Sequence, residues 1–206
     1  MKKIILTTFF LTTFIVNIFA QEKIGKPKLK ILIDSLFNVD QQVQLDFIEV
    51  LQNRVSSDSI KLFSDRKNQT YARHIPIIKK VVSTFGYPSF EKVGKETSSN
   101  FFTLIQHSDI DLTFQTKMLA LIKKQVDKKQ VSGNNYAFLY DRVQKNSKKE
   151  QLYGTQLGYD ENGNAYSVNL KDKENVNRRR KDLGMETLEE YLKKATEVHK
   201  KQNQKK

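Results

Sequence analysis

The sequence predicts a mostly α-helical, bundle-like single domain with one small β-hairpin in its C-terminal half. Apolar residues recur at three- and four-residue steps over most of the chain, which is the period of amphipathic helices. An Asn-Gly pair at 162–163 lies between two short stretches of strand character, as expected of a hairpin turn. The sequence contains no internal repeat and no linker. Its 206 residues therefore suit one domain with a substantial core.

The first 20 residues have the order of a secretory signal peptide. Two lysines open the segment, an apolar run covers residues 4–19, and the small residue Ala20 ends it. Four threonines and an asparagine dilute the apolar run, which favours a cleaved leader over a retained membrane anchor. We therefore expect cleavage near Ala20 and an exported protein, periplasmic or extracellular, without a transmembrane span. The mature domain is expected to cover residues 21–192.

The chain is strongly basic, with 36 Lys and Arg against 23 Asp and Glu, a net charge of +13. In an exported protein this charge does not indicate nucleic acid, because such proteins seldom meet it. It favours attraction to an anionic cell-envelope component such as lipid headgroups or acidic glycans. Positive charge is densest over residues 193–206, which we expect to be a basic, frayed tail. The absence of cysteine excludes disulfides, thiol nucleophiles and lipid attachment through a cysteine.

The helices are assigned from apolar periodicity and from the residues that interrupt it. The first has a candidate break at residues 38–40. Pro76 is expected to begin a new helix, since proline is tolerated in a first turn, and Gly86 to stop it. Helices are predicted over residues 29–51, 59–74, 76–85, 96–108, 111–129, 135–146, 174–182 and 186–199. Strands are predicted over residues 151–159 and 164–170, joined by a turn at 160–163.

Two polar residues near the junction of the fourth and fifth of these segments are candidates for a site. Gln115 falls on the apolar stripe of its helix, so its amide should be buried and hydrogen-bonded to a structural partner or to a ligand. His107 lies at the edge of a buried face, where it is either packed or an acid–base group. Asp109 or Asp111 nearby is expected to cap the next helix.

The remaining candidates lie after residue 140. Asp141 and Arg142 are adjacent on a helix and point about 100° apart, so each needs its own partner, and an ion pair to another helix would satisfy Arg142. The segment 151–156 is unusually polar for a strand. It is either an edge that faces water or the wall of a polar site, with these side chains as candidates: Gln151, Tyr153, Thr155 and Gln156.

These residues together resemble an uncharacterised bacterial family, a domain of unknown function. Its members combine a Gly-Trp-Pro-like turn with Gln-His, Asp-Arg-Val and Tyr-Gly-Thr-Gln elements. The matching segments here are Gly86-Tyr87-Pro88, Gln106-His107, Asp141-Arg142-Val143 and Gln151-Leu152-Tyr153-Gly154-Thr155-Gln156. The resemblance covers roughly residues 29–191, with tyrosine where the family often has tryptophan. The family has no assigned activity, so the resemblance implies one shared constellation of polar residues and no reaction.

Three functions are compatible with that constellation. A binding module would use Gln115, Arg142 and the polar side chains of 151–156 to hold a glycan or peptide of the cell envelope. A hydrolase-like enzyme would use His107 as general acid or base, oriented by Asp109 or Asp141, and would activate a water because no serine-nucleophile motif is present. In the third case the polar residues are a structural network. The histidine spacing predicts no metal site, and the absence of nucleotide motifs predicts no cofactor.

Overall fold

Helices dominate the architecture, which the computed structural model describes for residues 25–53 and 55–204. The expected leader, residues 1–20, lies outside the described residues. The α-helices of the described chain are α1 (Lys26–Gln52), α2 (Ser57–Phe85), α3 (Phe90–Val93), α4 (Lys95–Gln106), α5 (Leu112–Asp127), α6 (Gly133–Asn146), α7 (Val176–Asp182) and α8 (Leu188–Gln204). The predicted fold class, a helical single domain with one small hairpin, is confirmed.

Helix α4 lies at the centre of the domain and contacts α1, α2, α5 and α6. Its buried side chains Phe101, Leu104 and Ile105 recur at three- and four-residue steps and therefore face one core. The other helices contribute fully buried aliphatic side chains to the same core: Leu32, Ile33 and Leu36 of α1, Ile78 and Val81 of α2, Met118 and Ile122 of α5, and Leu139 of α6. Helix α4 is thereby packed against four other helices.

The sequence prediction was wrong about Pro76, which lies inside the continuous helix α2 instead of starting a new one. Proline removes one helical hydrogen bond and costs about 3 kcal/mol in a helix interior. Here Pro76 is exposed, while its neighbours His74, Ile75 and Ile78 are buried, and α2 packs along α1. Burial of the residues on both sides of the proline keeps the helix continuous. Helix α1 is likewise unbroken at residues 38–40, since Leu36, Asp40 and Val43 all face the interior.

The hairpin is shorter than predicted. Strand β1 (Leu157–Tyr159) pairs antiparallel with β2 (Ala165–Ser167), with Gly158 opposite Tyr166. The turn between them is confirmed, and the Asp160 carboxylate accepts backbone hydrogen bonds from Asn162 and Asn164. Residues 151–156 are not a strand, apart from an isolated parallel bridge from Gln151 to Leu170. Their amides are used elsewhere, as described below.

Three helical elements follow the hairpin at the C-terminal end of the described chain. A single 3₁₀ turn (Lys173–Asn175) leads into α7, and α8 then contacts β2 and α7. Ring contacts fasten α8 to the rest of the fold, because Tyr191 packs edge-on against Phe138 and His199 stacks on Tyr159. Helix α8 continues to Gln204, so most of the expected basic tail is helical in the structure. No described helix is long and apolar enough to cross a membrane.

Candidate functional site

An Asp–His pair joins the end of the central helix to α1. His107 follows α4 directly, and its Nδ1 lies 2.8 Å and 3.0 Å from the two carboxylate oxygens of Asp40. Asp40 is 1% exposed, and the His107 side chain is 19% exposed. A carboxylate bound at Nδ1 holds the proton on that nitrogen in the neutral ring, which leaves Nε2 as a proton acceptor. Asp40 holds one nitrogen of the ring, and no described residue hydrogen-bonds the other, Nε2.

Helix α2 covers this pair with two aromatic side chains one turn apart. The Tyr71 ring stacks on His107 with 4.6 Å between centroids, and its hydroxyl donates to Gln44 at 2.9 Å. Burial, with the Asp40 carboxylate second, raises the pKa of Tyr71, so the phenol stays neutral. His74 is 5% exposed, and burial lowers its pKa to about 4 even though Asp40 acts in the opposite direction. At neutral pH His74 is therefore uncharged beside the pair.

A second ion pair borders the first. Arg142 on α6 forms a bidentate contact with Asp109, with Nε 2.7 Å from Oδ1 and Nη2 bonded to Oδ2. Gln115 and Asn146 also donate to Asp109, each at 3.1 Å. Burial alone would raise the pKa of Asp109, but the hydrogen bonds and charge of Arg142 more than offset it, so this pKa lies below its usual value. Gln115 joins the two pairs, because its amide nitrogen donates both to Asp109 and to the carbonyl of Gln106, the residue before His107.

Gln115 is fully buried, as its position on the apolar stripe predicted. Its amide nitrogen also donates to the backbone carbonyls of Ile105 and Gln106, each at 3.1 Å. The Ile105 carbonyl also accepts from the Ser108 amide at 3.1 Å, so Gln115 adds a side-chain cap where α4 ends and positions the residue after it. Its carbonyl oxygen has no hydrogen-bond partner among the described residues. The next helix is capped by Asp111, whose carboxylate accepts from the amide of Phe114 at 2.9 Å.

Asp141 lies at a separate cluster on the other side of α6. It is fully buried, and its two oxygens accept from the amides of Leu152, Tyr153 and Thr155 and from the Thr155 hydroxyl, at 2.9–3.2 Å. Burial raises its pKa although these donors act in the opposite direction. The amides that a strand would pair with a neighbour are bound to this one carboxylate. For that reason residues 151–156 form a loop.

Carbonyl groups of the loop 151–156 are also hydrogen-bonded, in this case to side chains. Gln151 donates to the carbonyls of Gln156 and Val168 and accepts from the Gln156 amide at 2.8 Å. Arginines of α7 bind two further carbonyls, Arg179 that of Leu152 and the buried Arg180 that of Tyr153. The Tyr191 hydroxyl donates to the Thr155 carbonyl at 3.2 Å. We name this assembly the Asp141 clamp: Asp141, residues 151–156, Arg179, Arg180 and Tyr191.

The structure therefore divides the predicted constellation in two. His107, Gln115 and Arg142 lie together through Asp109, and Asp141, Gln151, Tyr153, Thr155 and Gln156 lie in the Asp141 clamp. The expected carboxylate partner of His107 was wrong: Asp40 holds the ring, while Asp109 binds Arg142 and Asp141 binds backbone amides. Sequence reasoning missed Tyr71 and gave Asp40 no role in the site, although Asp40-Gln41 fits the layout of the family that the chain resembles. The available signal was an aspartate at the helical spacing of the buried Leu36 and Val43, which was interpreted as a break.

A comparison with family models places the chain in DUF6624, a family of unknown function, whose model matches residues 28–202. The chain belongs to this family, and the resemblance to an uncharacterised family is thereby confirmed. No curated protein and no solved structure matches the chain. Among the described residues, no group of three or more His, Asp or Glu side chains lies close enough together to hold a metal ion.

Proposed function

We propose that the chain is an exported, hydrolase-like enzyme that uses His107 as a general acid–base on a glycan or peptide of the cell envelope. The observation that carries the proposal is the Asp40–His107 pair. Both carboxyl oxygens of the nearly inaccessible Asp40 are directed at the Nδ1 of a partly exposed histidine. Burying a carboxylate is costly, and this one orients an imidazole with its other nitrogen available.

The proposed step requires only water and the side chains of this site. Nε2 of His107 takes a proton from a water molecule as the water oxygen bonds to the electrophilic carbon of the substrate. The bond between that carbon and its leaving oxygen or nitrogen breaks, and the imidazolium returns the proton to the leaving atom. Asp40 stabilises the imidazolium between these transfers. Arg142 uses Nε and Nη2 for Asp109, which leaves its Nη1 to bind a substrate carboxylate or oxyanion.

The test uses the purified protein and peptidoglycan fragments of defined structure, which contain both glycosidic and peptide bonds. Mass spectrometry detects cleavage. His107→Gln is expected to lower the rate by about 10²-fold or more, the usual contribution of a positioned acid–base group, and Asp40→Asn by a similar order. Matched controls are His199→Gln and Asp46→Asn, which make the same chemical changes away from the site. Unchanged turnover in a correctly folded His107→Gln protein, or no cleavage by the wild type, contradicts the proposal.

Binding without chemistry is the second candidate, because two hydroxyl-bearing residues beside His107 already use their hydroxyls within the domain: Ser108, which follows it, and Tyr71, which stacks on it. The Ser108 hydroxyl donates to the Leu104 carbonyl and is buried, and the Tyr71 hydroxyl donates to Gln44. The same site would then hold a glycan or peptide through His107 and Arg142. Equilibrium dialysis with the same fragments distinguishes the two: retention of uncleaved fragments that His107→Gln and Arg142→Gln abolish supports binding alone.

Export is part of the proposal and rests on the order of residues 1–20. The measurement is the intact mass of the protein secreted by a bacterial host that expresses the whole chain. A mature protein that begins at or next to Gln21 is expected. A full-length mass in the exported fraction, or retention in the cytoplasm, contradicts it.

A further inference from the structure

A polar cavity of about 480 Å³ opens beside the C-terminal end of α6. Its lining comes from the last turns of α6, from the loop that follows and from the residue after Leu170. The lining residues are Tyr140, Gln144, Lys148, Lys149, Glu150, Leu152 and Lys171. This volume lies within the range of about 300–1,000 Å³ in which proteins hold small ligands. The site proposed for acid–base chemistry does not use any of these side chains.

Three lysines make the cavity positive, and their charges are not neutralised from within the domain. Lys148, Lys149 and Lys171 form no ion pair with a described carboxylate, whereas several other lysines of the described chain do: Lys30, Lys61, Lys79, Lys123 and Lys194. Glu150 is the one acidic side chain in the lining. The cavity therefore presents unpaired ammonium groups in excess of carboxylate, which favours an anionic ligand.

The lysine backbones are fixed by the fold. Lys148 has a φ of +57°, which turns the chain as α6 ends, and the amide of Lys149 donates to the Gln144 carbonyl at 2.8 Å. On the opposite wall the Lys171 amide donates to the Gln151 carbonyl at 3.0 Å. Gln151 itself belongs to the Asp141 clamp. The charges are therefore carried by anchored segments, which reduces the ordering cost of binding.

One wall of the cavity is aromatic and amphipathic. The Tyr140 ring packs edge-on against Tyr153 at 5.7 Å and tilts against Tyr136 at 5.9 Å, so its position is set by two other rings. Its hydroxyl makes no hydrogen bond to a described residue, and the Gln144 amide lies one helical turn further along the same face. A ring face, a phenol and an amide beside ammonium groups suit a ligand that has apolar ring faces, hydroxyls and carboxylates.

We propose that this cavity is a binding site for an acidic glycan, a carbohydrate whose sugar units bear carboxylates. The lysines would bind the carboxylates, Tyr140 would pack against a sugar ring, and Gln144 would bond sugar hydroxyls. A membrane surface fits less well, because the lining offers only the half-buried Leu152 for insertion into lipid, while the large exposed apolar side chains of the described chain lie elsewhere.

The cavity is distinct from the His107 site, because the two occupy different faces of α6. Tyr140 and Gln144 lie one turn apart on one face. Arg142 and Asn146, which bind Asp109, lie roughly 200° around the helix from them. The inference is thus independent of the proposed chemistry, and a test by binding alone separates its failure from the failure of the acid–base proposal.

The experiment is isothermal titration of the purified protein with trigalacturonate, a carboxylated trisaccharide, at about 50 mM salt. The variant is Lys149→Gln with Lys171→Gln. The matched control is Lys80→Gln with Lys124→Gln, which removes the same charge from exposed lysines on other helices. Saturable binding with one site per chain is expected. It should weaken about tenfold or more in the cavity variant, less than about twofold in the control variant, and remain in His107→Gln.

Comparison ligands make the inference falsifiable by class. Maltotriose tests whether an uncharged sugar binds, and a glutamate oligopeptide tests whether carboxylates bind without a sugar. Inorganic phosphate and phosphatidylglycerol vesicles test whether other anions bind. Weaker binding of all four than of trigalacturonate supports the site. No binding of trigalacturonate, equal weakening in both lysine variants, or tighter binding of any comparison ligand overturns it. Circular dichroism and thermal melting of each variant confirm that a loss of binding is not a loss of fold.

Discussion

Two buried aspartates, Asp40 and Asp141, differ in what their carboxylates hold. Asp141 is surrounded by three backbone amides and one hydroxyl, all from a single loop, so its hydrogen-bonding capacity is used to fix that loop. Asp40 binds the ring nitrogen of His107 and the side chain of its neighbour Gln41. Both are at most 1% exposed. Burial alone therefore does not distinguish a structural carboxylate from a candidate functional one.

The difference lies in the partner. A carboxylate that binds backbone amides replaces the hydrogen bonds that a neighbouring strand would supply, so its role is to stabilise the loop. A carboxylate that binds one nitrogen of a partly exposed histidine changes what the other nitrogen can do. Neighbouring residues of α6 belong to the two regions, since Asp141 faces the clamp and Arg142 faces Asp109. The following predictions test how far this division holds.

The largest effect is expected for Asp141→Asn. The amide can accept at one oxygen only, so buried N–H donors of Tyr153 or Thr155 lose their acceptor at about 1–3 kcal/mol each. We expect the free energy of unfolding to fall by roughly 3 kcal/mol or more, measured by urea denaturation. Asp40→Asn keeps the oxygen that binds His107 and should cost much less, about 1 kcal/mol. Equal losses in the two variants would remove the structural distinction between the regions.

The next effect concerns pH and His74, the neutral histidine of the His107 site. In the unfolded chain its pKa is near 6.5, whereas burial lowers it to about 4 in the fold. Between these values the unfolded state binds more protons, so stability should decrease as pH falls from 6.5 to 4. The contribution of this residue is at most about 3 kcal/mol.

Unfolding measured at several pH values tests this assignment. His74→Asn should have a flatter dependence on pH over that interval than the wild type. Parallel curves for His74→Asn and the wild type would show that another group causes the slope.

A smaller effect is expected from Gly154, at the centre of the Asp141 clamp. Its φ is +72°, and an added Cβ would lie 2.9 Å from a methyl carbon of Leu188. Gly184 has nearly the same φ, +71°, and open space around it. Gly154→Ala should therefore lose about 2 kcal/mol and Gly184→Ala only about 1 kcal/mol, the conformational part. Thermal melting compares them, and equal losses would mean that the clamp tolerates the extra carbon.

The last prediction concerns the tautomer of the His107 ring, which ¹⁵N NMR detects directly. In the wild type at alkaline pH, ¹⁵N NMR should show the neutral ring protonated at Nδ1, because that nitrogen faces Asp40. Asp40→Ala removes the acceptor and should return the ring toward the mixture of tautomers found in water. Asp46→Ala is the control and should leave the ring unchanged. A wild-type ring protonated at Nε2 would contradict the orientation on which the acid–base proposal rests.

Much of the fold could be predicted from local sequence patterns. The helices, the hairpin turn and the burial of Gln115 all follow from residues close together in the chain, because amphipathic periodicity and turn chemistry act over a few residues. Predictions that relied on local preference alone were wrong at the candidate break at residues 38–40, at Pro76 and at residues 151–156. Pro76 did not end its helix, since packing on both sides outweighed the missing hydrogen bond, and residues 151–156 did not become a strand, since a distant carboxylate took their amides.

The sequence by itself determined which residues are polar where apolar ones are expected, and therefore which positions need an explanation. Only the tertiary structure decided how they are grouped. Asp40 reaches His107 across 67 residues, and Arg142 reaches Asp109 across 33. The physical reason is that a hydrogen bond depends on ångström-scale distances between side chains of different helices, and helical periodicity fixes the face of one helix but not the partner that it meets.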